Sequence, residues 1–465
     1  MSDFDLVIRG GIVVTGESGV GPQDIGIKQG QIVRLGETVF GSCDAELDAT
    51  GLHIFPGLID AQICLHCGSG EGWTSGGRLL AAGGVCTALD TSPAVRDRVS
   101  FDAACAAAAE ESLVDFALWG ALTPDTLDAM SELHECGVIG FHATLSGPGA
   151  IDDYTLLEGM LRARELGRVL ALRAENDAIT SRLARDAVAA GKMSVRDFLA
   201  TRPVIAEMEA IQRAILFAWE TGCALHLAPV STGRGLELIA GARAQGLDIS
   251  CATSPHYLLF TEDDAARLDA LARCVPPLRS EENRAELWTH LRAGDIDFLT
   301  SDHRLPDADA AETTASGVAG GQLTLPLLLT ETGAAGGSIL ALDQIVGWLS
   351  THAARRFRIF PKKGSLAPDA DADLVIVDLN QGETVVPESL YQQQPESSPY
   401  LGRALRGQIR RTILRGQTIY RLGTAPPRAA GQLLRPAPPA AAEPLPEART
   451  AAESTTSSAL PPVIS

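Results

Sequence analysis

The sequence predicts an α/β fold: a (β/α)8 barrel of the TIM type with a small β-sandwich domain formed by both chain ends. Three observations carry this. Apolar strand-like runs alternate with Ala-, Leu-, Arg- and Glu-rich helical stretches from residue 53 to residue 362, and repeated strand-then-helix units argue for a parallel sheet. The number of units and their span favour a closed barrel. Short β runs occupy the first 50 residues and return after residue 362, while no G-x-G-x-x-G follows the first strand, which weakens a dinucleotide-binding sheet.

The elements follow in order. Leu6-Val7-Ile8 and Ile12-Val13-Val14 flank Gly10-Gly11, a hairpin-like pattern. Ile25 to Lys28 and Ile32 to Leu35 flank Gln29-Gly30-Gln31, again strand, turn, strand. In the barrel region the expected order is strand 114–119, helix 154–166, strand 168–173, helix 207–220 and strand 223–230. Helix 236–245, strand 247–252, helix 281–293 and strand 298–301 follow. Strands 373–377, 409–414 and 418–420 come last, with a turn at Arg415-Gly416-Gln417. The expected division is therefore 1–52 with 363–423 for the β domain, 53–362 for the barrel, and 424–465 for a tail. Nine of the 26 prolines fall in those last 42 residues, among Ala, Ser, Thr and Glu. That composition buries too little apolar surface to offset ordering entropy, so a disordered tail is expected; a polyproline-type interaction segment is the other reading.

Composition excludes several classes. Of 465 residues, 45% are hydrophobic, enough for a sizeable core. The 38 basic residues against 58 acidic give a net charge of −20, which speaks against a nucleic-acid partner. No run of 18 apolar residues exists, so no membrane partner is expected. The N-terminus lacks an apolar segment of signal length. Nine cysteines without regular spacing read as reduced thiols in a cytoplasmic protein, with exceptions allowed at a site.

Several segments carry a resemblance. PGLIDAQICL (56–65), LLAAGGVCTALDTSP (79–93), GVIGFHATLSGPG (137–149), LALRAENDAIT (170–180), SCATSPHYLLFTEDD (250–264) and KKGSLAPDADADLVIVD (362–378) resemble the cyclic amidohydrolases, in register from about residue 5 to 420. This is the family of dihydroorotase, hydantoinase and allantoinase, and the allantoinase branch is the nearest in pattern. The resemblance implies a metal-dependent barrel that hydrolyses a ring amide. Two metal ions, usually zinc, would share a carboxylated lysine and polarise water and carbonyl. The family's ligands are an HxH on the first strand, the lysine, two later strand-end histidines and an aspartate that is also the general base.

At those positions this chain departs. The HxH falls on Gln62 and Cys64, the lysine on His142, and the later histidines on Arg173 and Pro229; the aspartate remains, as Asp302. Proline offers no ligand, arginine is a fixed cation that repels a dication, and histidine cannot form a carbamate. The second metal position therefore cannot be assembled in its usual form. At the first, Cys64, His142 and Asp302 are zinc-competent, and three protein ligands plus water is a usual catalytic arrangement, so one zinc ion at most is allowed for. The other reading makes Cys64 a small buried hydrophobe and His142 a polar core residue bonded to Asp302. His66 and Cys67 add a Cys-x-His-Cys spacing that lacks a second pair at finger distance. Ser146 and Val275 match positions that would face the family's pocket. A local ion pair between Arg173 and Asp302 would put a guanidinium where the second metal's charge sat. His303 is expected to orient the loop, and His256 to hold a strand end.

Two functions follow. One is an allantoinase-like protein that has lost two-metal hydrolysis and serves as a ligand-binding protein or as the oligomer partner of an active enzyme. The other is an active hydrolase of a cyclic amide or ureide with a remodelled single-zinc site and Asp302 as base. In either case the small-molecule partner is a ring amide or ureide, and the resemblance implies a homo-oligomer. His226 lies three residues before the lost ligand at 229, an odd offset that turns it to the other face of the strand, so it cannot substitute.

Overall fold

The computed structural model describes residues 2–16, 19–67, 70–305, 317–332, 340–424 and 429–438. The N-terminal strands are β1 (Phe4–Thr15), β2 (Gly19–Lys28), β3 (Gln31–Gly36), β4 (Cys43–Asp48) and β5 (His53–Pro56). Eight strands follow: β6 (Leu58–Ile63), β7 (Val85–Val95), β8 (Asp115–Ala121), β9 (Phe141–Thr144), β10 (Leu170–Arg173), β11 (Leu225–Leu227), β12 (Ile249–Thr253) and β13 (Phe298–Leu299). The last are β14 (Leu374–Thr384), β15 (Ala404–Leu414) and β16 (Gln417–Arg421).

Strands β6 to β13 pair in sequence order and in parallel, with helices between them, which is the expected barrel. Its interior carries small and bulky side chains from different strands: Ala61, Leu89, Ala117, Trp119, Ala171, Ala252 and Phe298 pack together. Small residues facing large ones fill a narrow barrel without voids. His226 stacks on Phe298 of this layer with centroids 4.8 Å apart, so it points into the barrel interior and not to the outer face that its offset predicted.

The second sheet runs β16-β15-β14-β5-β1-β2-β3, with β4 also on β1, so both chain ends build it. Its core is Ile8, Val13, Ile25, Ile27, Ile32, Ile54, Leu374, Ile376 and Ile413. Lys363 ties it to the barrel. Its buried ammonium lies 2.5 Å from Asp115, 2.7 Å from Asp373 and 2.9 Å from Asp371. Three carboxylates around one cation make a charge-assisted cluster; their summed field raises the lysine pKa against the effect of burial.

Three expectations need correction. Gly10-Gly11 is not a hairpin but a bulge within β1, with a register shift between Ile8 and Gly11. Gly10, at φ +65°, donates its N–H to Asp24 at 2.9 Å, and the strand runs on. The boundary at residue 53 falls inside the β domain, because β5 pairs with β1 and β14 before the chain enters the barrel. The tail is not wholly detached. Residues 429–438 cross the end of the barrel away from the mouth. Phe116 N–H donates to Gln432 O at 3.0 Å, Leu434 N–H donates to Phe116 O at 2.7 Å, and Leu434 is buried among the barrel's interior residues. Residues 425–428 and 439–465 lie outside the described residues.

Candidate active site

The C-terminal ends of β6, β9, β10 and β13 deliver the residues singled out by the sequence, at the face where barrel enzymes place their chemistry. Strand β6 is buried along its whole length, with Asp60 and Gln62 among the buried residues. Asp60 accepts from Ser301 N–H at 3.2 Å and from the Ser301 hydroxyl. Thr300 Oγ1 donates to Gln62 O at 2.9 Å and accepts from Asp302 N–H at 3.2 Å. Cys64 N–H donates to His303 O at 3.0 Å. These bonds stitch residues 300–303 to β6 and close the barrel seam. They hold Asp302 at φ +48°, a left-handed conformation that Asp tolerates better than most residues.

Asp302 faces a cation and an amide. Arg173, the last residue of β10, donates from Nη2 to Asp302 Oδ1 at 2.8 Å, and its Nη1 lies 3.5 Å from Oδ2. Nη1 also donates to Val275 O. Gln62 Nε2 donates to Asp302 Oδ1 at 3.2 Å. The ion pair suggested by the sequence is therefore present, with side chains 21% and 15% exposed, shielded enough for the charges to act strongly on each other. Val275 takes part through its carbonyl.

Beyond the strand ends lies a second ionic cluster. Glu175 bonds Arg202 at 2.5 Å, Arg279 bonds Glu207 at 2.9 Å, and Ser231 joins Glu207 through N–H and hydroxyl. This cluster was not foreseen, because its members come from four separate segments.

His142 projects from β9. Its Nε2 is buried without a hydrogen-bond partner among the described residues, so it is not bonded to Asp302. Burial, then the Arg173 charge, push its pKa down to about 4 against the opposing pull of Asp302, so the ring is neutral at physiological pH. Ser146 is buried, and its hydroxyl also has no partner among the described residues. His256 is buried against Tyr257, with both ring nitrogens unpaired and its pKa lowered to about 4 by burial, although Asp302 opposes the shift. Pro229 follows β11 and presents no ligand atom. His303 Nδ1 accepts from Gly321 N–H at 3.3 Å, and its Nε2 lies 3.7 Å from Glu71, so it anchors the loop.

Cys64 fits neither earlier reading. It is bonded to Cys67 in a disulfide, with Cα atoms 5.6 Å apart, and both residues are half-buried. The other seven cysteines are free.

A metal centre therefore does not fit these side chains. The Cys64 sulfur is bonded to Cys67, Asp302 Oδ1 is shared by Arg173 and Gln62, and the guanidinium would repel a dication. Cys64, His142 and Asp302 do not converge. Among the described residues the one group of three metal-competent side chains that does is Asp115, Asp371 and Asp373, where the Lys363 ammonium already sits.

A parallel eight-stranded barrel with polar strand ends at its mouth, joined to a β domain from both termini, is the architecture of a cyclic-amide hydrolase. The chain belongs to the amidohydrolase family, whose pattern it matches over residues 54–419. It is 44% identical to a protein named allantoinase from Rubrobacter xylanophilus, over 94% of this chain and 98% of the relative. It is 43% identical to an allantoinase of Solibacter usitatus, over 93% of this chain and 97% of that one. Among solved structures it is similar to an L-hydantoinase from Arthrobacter aurescens, with a TM-score of 0.87 and 29% identity, covering 93% of this chain and 100% of that one. A dihydropyrimidinase from Brevibacillus agri superposes with a TM-score of 0.87 at 25% identity, covering 95% of this chain and 100% of that one.

Proposed function

We propose that this chain binds a cyclic ureide or ring amide of the allantoin class at the barrel mouth and does not hydrolyse it by a two-metal route. The observation that carries this reading is the Arg173–Asp302 ion pair, which sets a fixed cation against the one remaining family carboxylate. Around it, His142 Nε2 and the Ser146 hydroxyl are buried without partners among the described residues. Unpaired buried polar groups cost about 1–3 kcal/mol each, and a ring that alternates N–H and C=O groups would satisfy them. The neutral imidazole can donate or accept there.

The test is calorimetric titration of the purified protein with allantoin and hydantoin, alongside a turnover assay. Saturable binding without ring opening, weakened in Ser146→Ala, supports the reading. Turnover, or no binding of any ring amide, contradicts it.

A second reading, active hydrolysis of a ureide, is favoured by the 44% identity to a protein named allantoinase and by the retention of Asp302. Its single-zinc form needs Cys64 as a free thiol, so the turnover assay is run both with and without a dithiol and added zinc.

Two further readings belong here. Seven free thiols support a cytoplasmic location. Among the described residues no helix is long and apolar enough to cross a membrane. Exposed Tyr154 and Leu161 on helix Asp153–Glu165, and Leu216 and Trp219 on the neighbouring helix Val204–Thr221, support a homo-oligomer.

A further inference from the structure

At the opposite end of the barrel, two residues before β10, stands Arg168. It is 6% exposed, and its Nε and Nη1 are buried with no hydrogen-bond acceptor among the described residues. Arginine keeps its proton in proteins, so two donors of this buried cation lack an acceptor among the described residues. Its surroundings deepen the imbalance. Arg358 donates from Nη2 to Gly167 O at 2.7 Å, which places a second guanidinium beside the first. His134, in the last turn of helix Met130–Cys136, has a buried Nδ1 with no partner. Arg435, from the docked tail, donates to Cys136 O at 3.1 Å and lies over Gly137.

The charges acting on this cluster are nearly all positive. Burial and then Arg358 lower the Arg168 pKa, and among the described residues no carboxylate opposes them. At His134, burial, Arg168 and Arg358 all disfavour the charged form, and only Glu135 opposes. Glu135 is itself exposed and lies 3.7 Å from Arg98. The C-terminal ends of helices Asp153–Glu165 and Met130–Cys136 supply carbonyl dipoles, equivalent to about half a charge each, which falls short of a full counter-ion.

We propose that Arg168, with Arg358 and His134, forms a binding site for a small oxyanion of the phosphate class at the end of the barrel opposite the mouth. An oxyanion accepts several N–H groups at once and supplies the missing negative charge; guanidinium forks match its geometry. This inference does not depend on what the mouth binds.

The experiment is calorimetric titration of the full chain with inorganic phosphate at constant ionic strength, with Arg168→Gln and Arg358→Gln as variants. Saturable binding is expected, weakened about tenfold or more in either variant, as the loss of a charge-assisted hydrogen bond requires. In phosphate-free buffer, Arg168→Gln should melt no lower than the parent protein, because the donors removed had no acceptor among the described residues. Adding phosphate should raise the melting temperature of the parent more than that of the variant. Absence of saturable binding, or an affinity in both variants equal to that of the parent, would overturn the proposal. Should Arg168→Gln not fold in any buffer, Arg358→Gln alone decides between these outcomes.

Discussion

Arg173 Nη2 donates to Asp302 Oδ1 at 2.8 Å, across the mouth of the barrel from the end of β10 to the turn after β13. On the proposed reading, the pair fixes a positive charge to the chain beside Asp302. Breaking one side leaves the other charge poorly solvated. Arg173→Met is therefore expected to lower unfolding free energy by about 3 kcal/mol, the lower end for a broken buried pair. Urea titration at pH 7 reads this, and a change within about 0.5 kcal/mol, the size typical of a surface substitution, would count against it.

The Cys64–Cys67 bond makes a prediction about thiol number. Denatured protein prepared without reductant should show the seven free thiols of the structure, and protein treated with a dithiol should show all nine cysteines of the sequence. Thiol titration with a chromogenic disulfide checks it. Nine reactive thiols before reduction would mean that the pair is open and Cys64 is available as a ligand.

His256 predicts a loss of stability on the acid side. Its ring is buried and its folded pKa is about 4, set by burial, opposed by Asp302 and reinforced by Arg173, against an ordinary value of 6.5. Above pH 6.5 neither the folded nor the unfolded ring binds a proton, and the stability is complete. Between pH 6.5 and 4 the unfolded chain takes up a proton that the folded ring refuses, and up to about 3 kcal/mol is lost. His256→Leu should fall less than the parent between pH 7 and pH 4.5 in urea titrations. An equal fall in the two proteins would show that this imidazole does not govern the slope.

The docked tail predicts a position-dependent effect of truncation. A chain ending at Thr424 loses the burial of Leu434 and the backbone bonds of residues 432 and 434 to β8, whereas a chain ending at Pro438 keeps them. The shorter chain should be less stable by about 2 kcal/mol or more, the value of one buried leucine. Equal melting temperatures for the two chains would show that the segment contributes nothing.

Much of this was legible in the sequence, for physical reasons that also mark where it stopped. Strands β8, β10 and β12 are apolar runs bounded by helical stretches, so they could be read directly. The expectation that positions 62, 64, 142, 173 and 229 are substituted ligands came from the family resemblance of the residues around them, and from it the Arg173–Asp302 pair could be inferred. Gly10-Gly11 misled because a glycine pair serves a bulge as readily as a turn. The tail misled because composition averages over a window, and Leu433-Leu434 is a short apolar pair within a polar, proline-rich stretch. The disulfide at Cys64 and the unpaired charge of Arg168 depend on distances between side chains, which spacing alone does not carry.

The most direct test of the account is the metal content of the pure protein by elemental mass spectrometry, after incubation with zinc and removal of the unbound excess. The account predicts far less than one ion per chain, in the parent and in Asp302→Asn alike. Two ions per chain, retained by the parent and lost from Asp302→Asn, would contradict it.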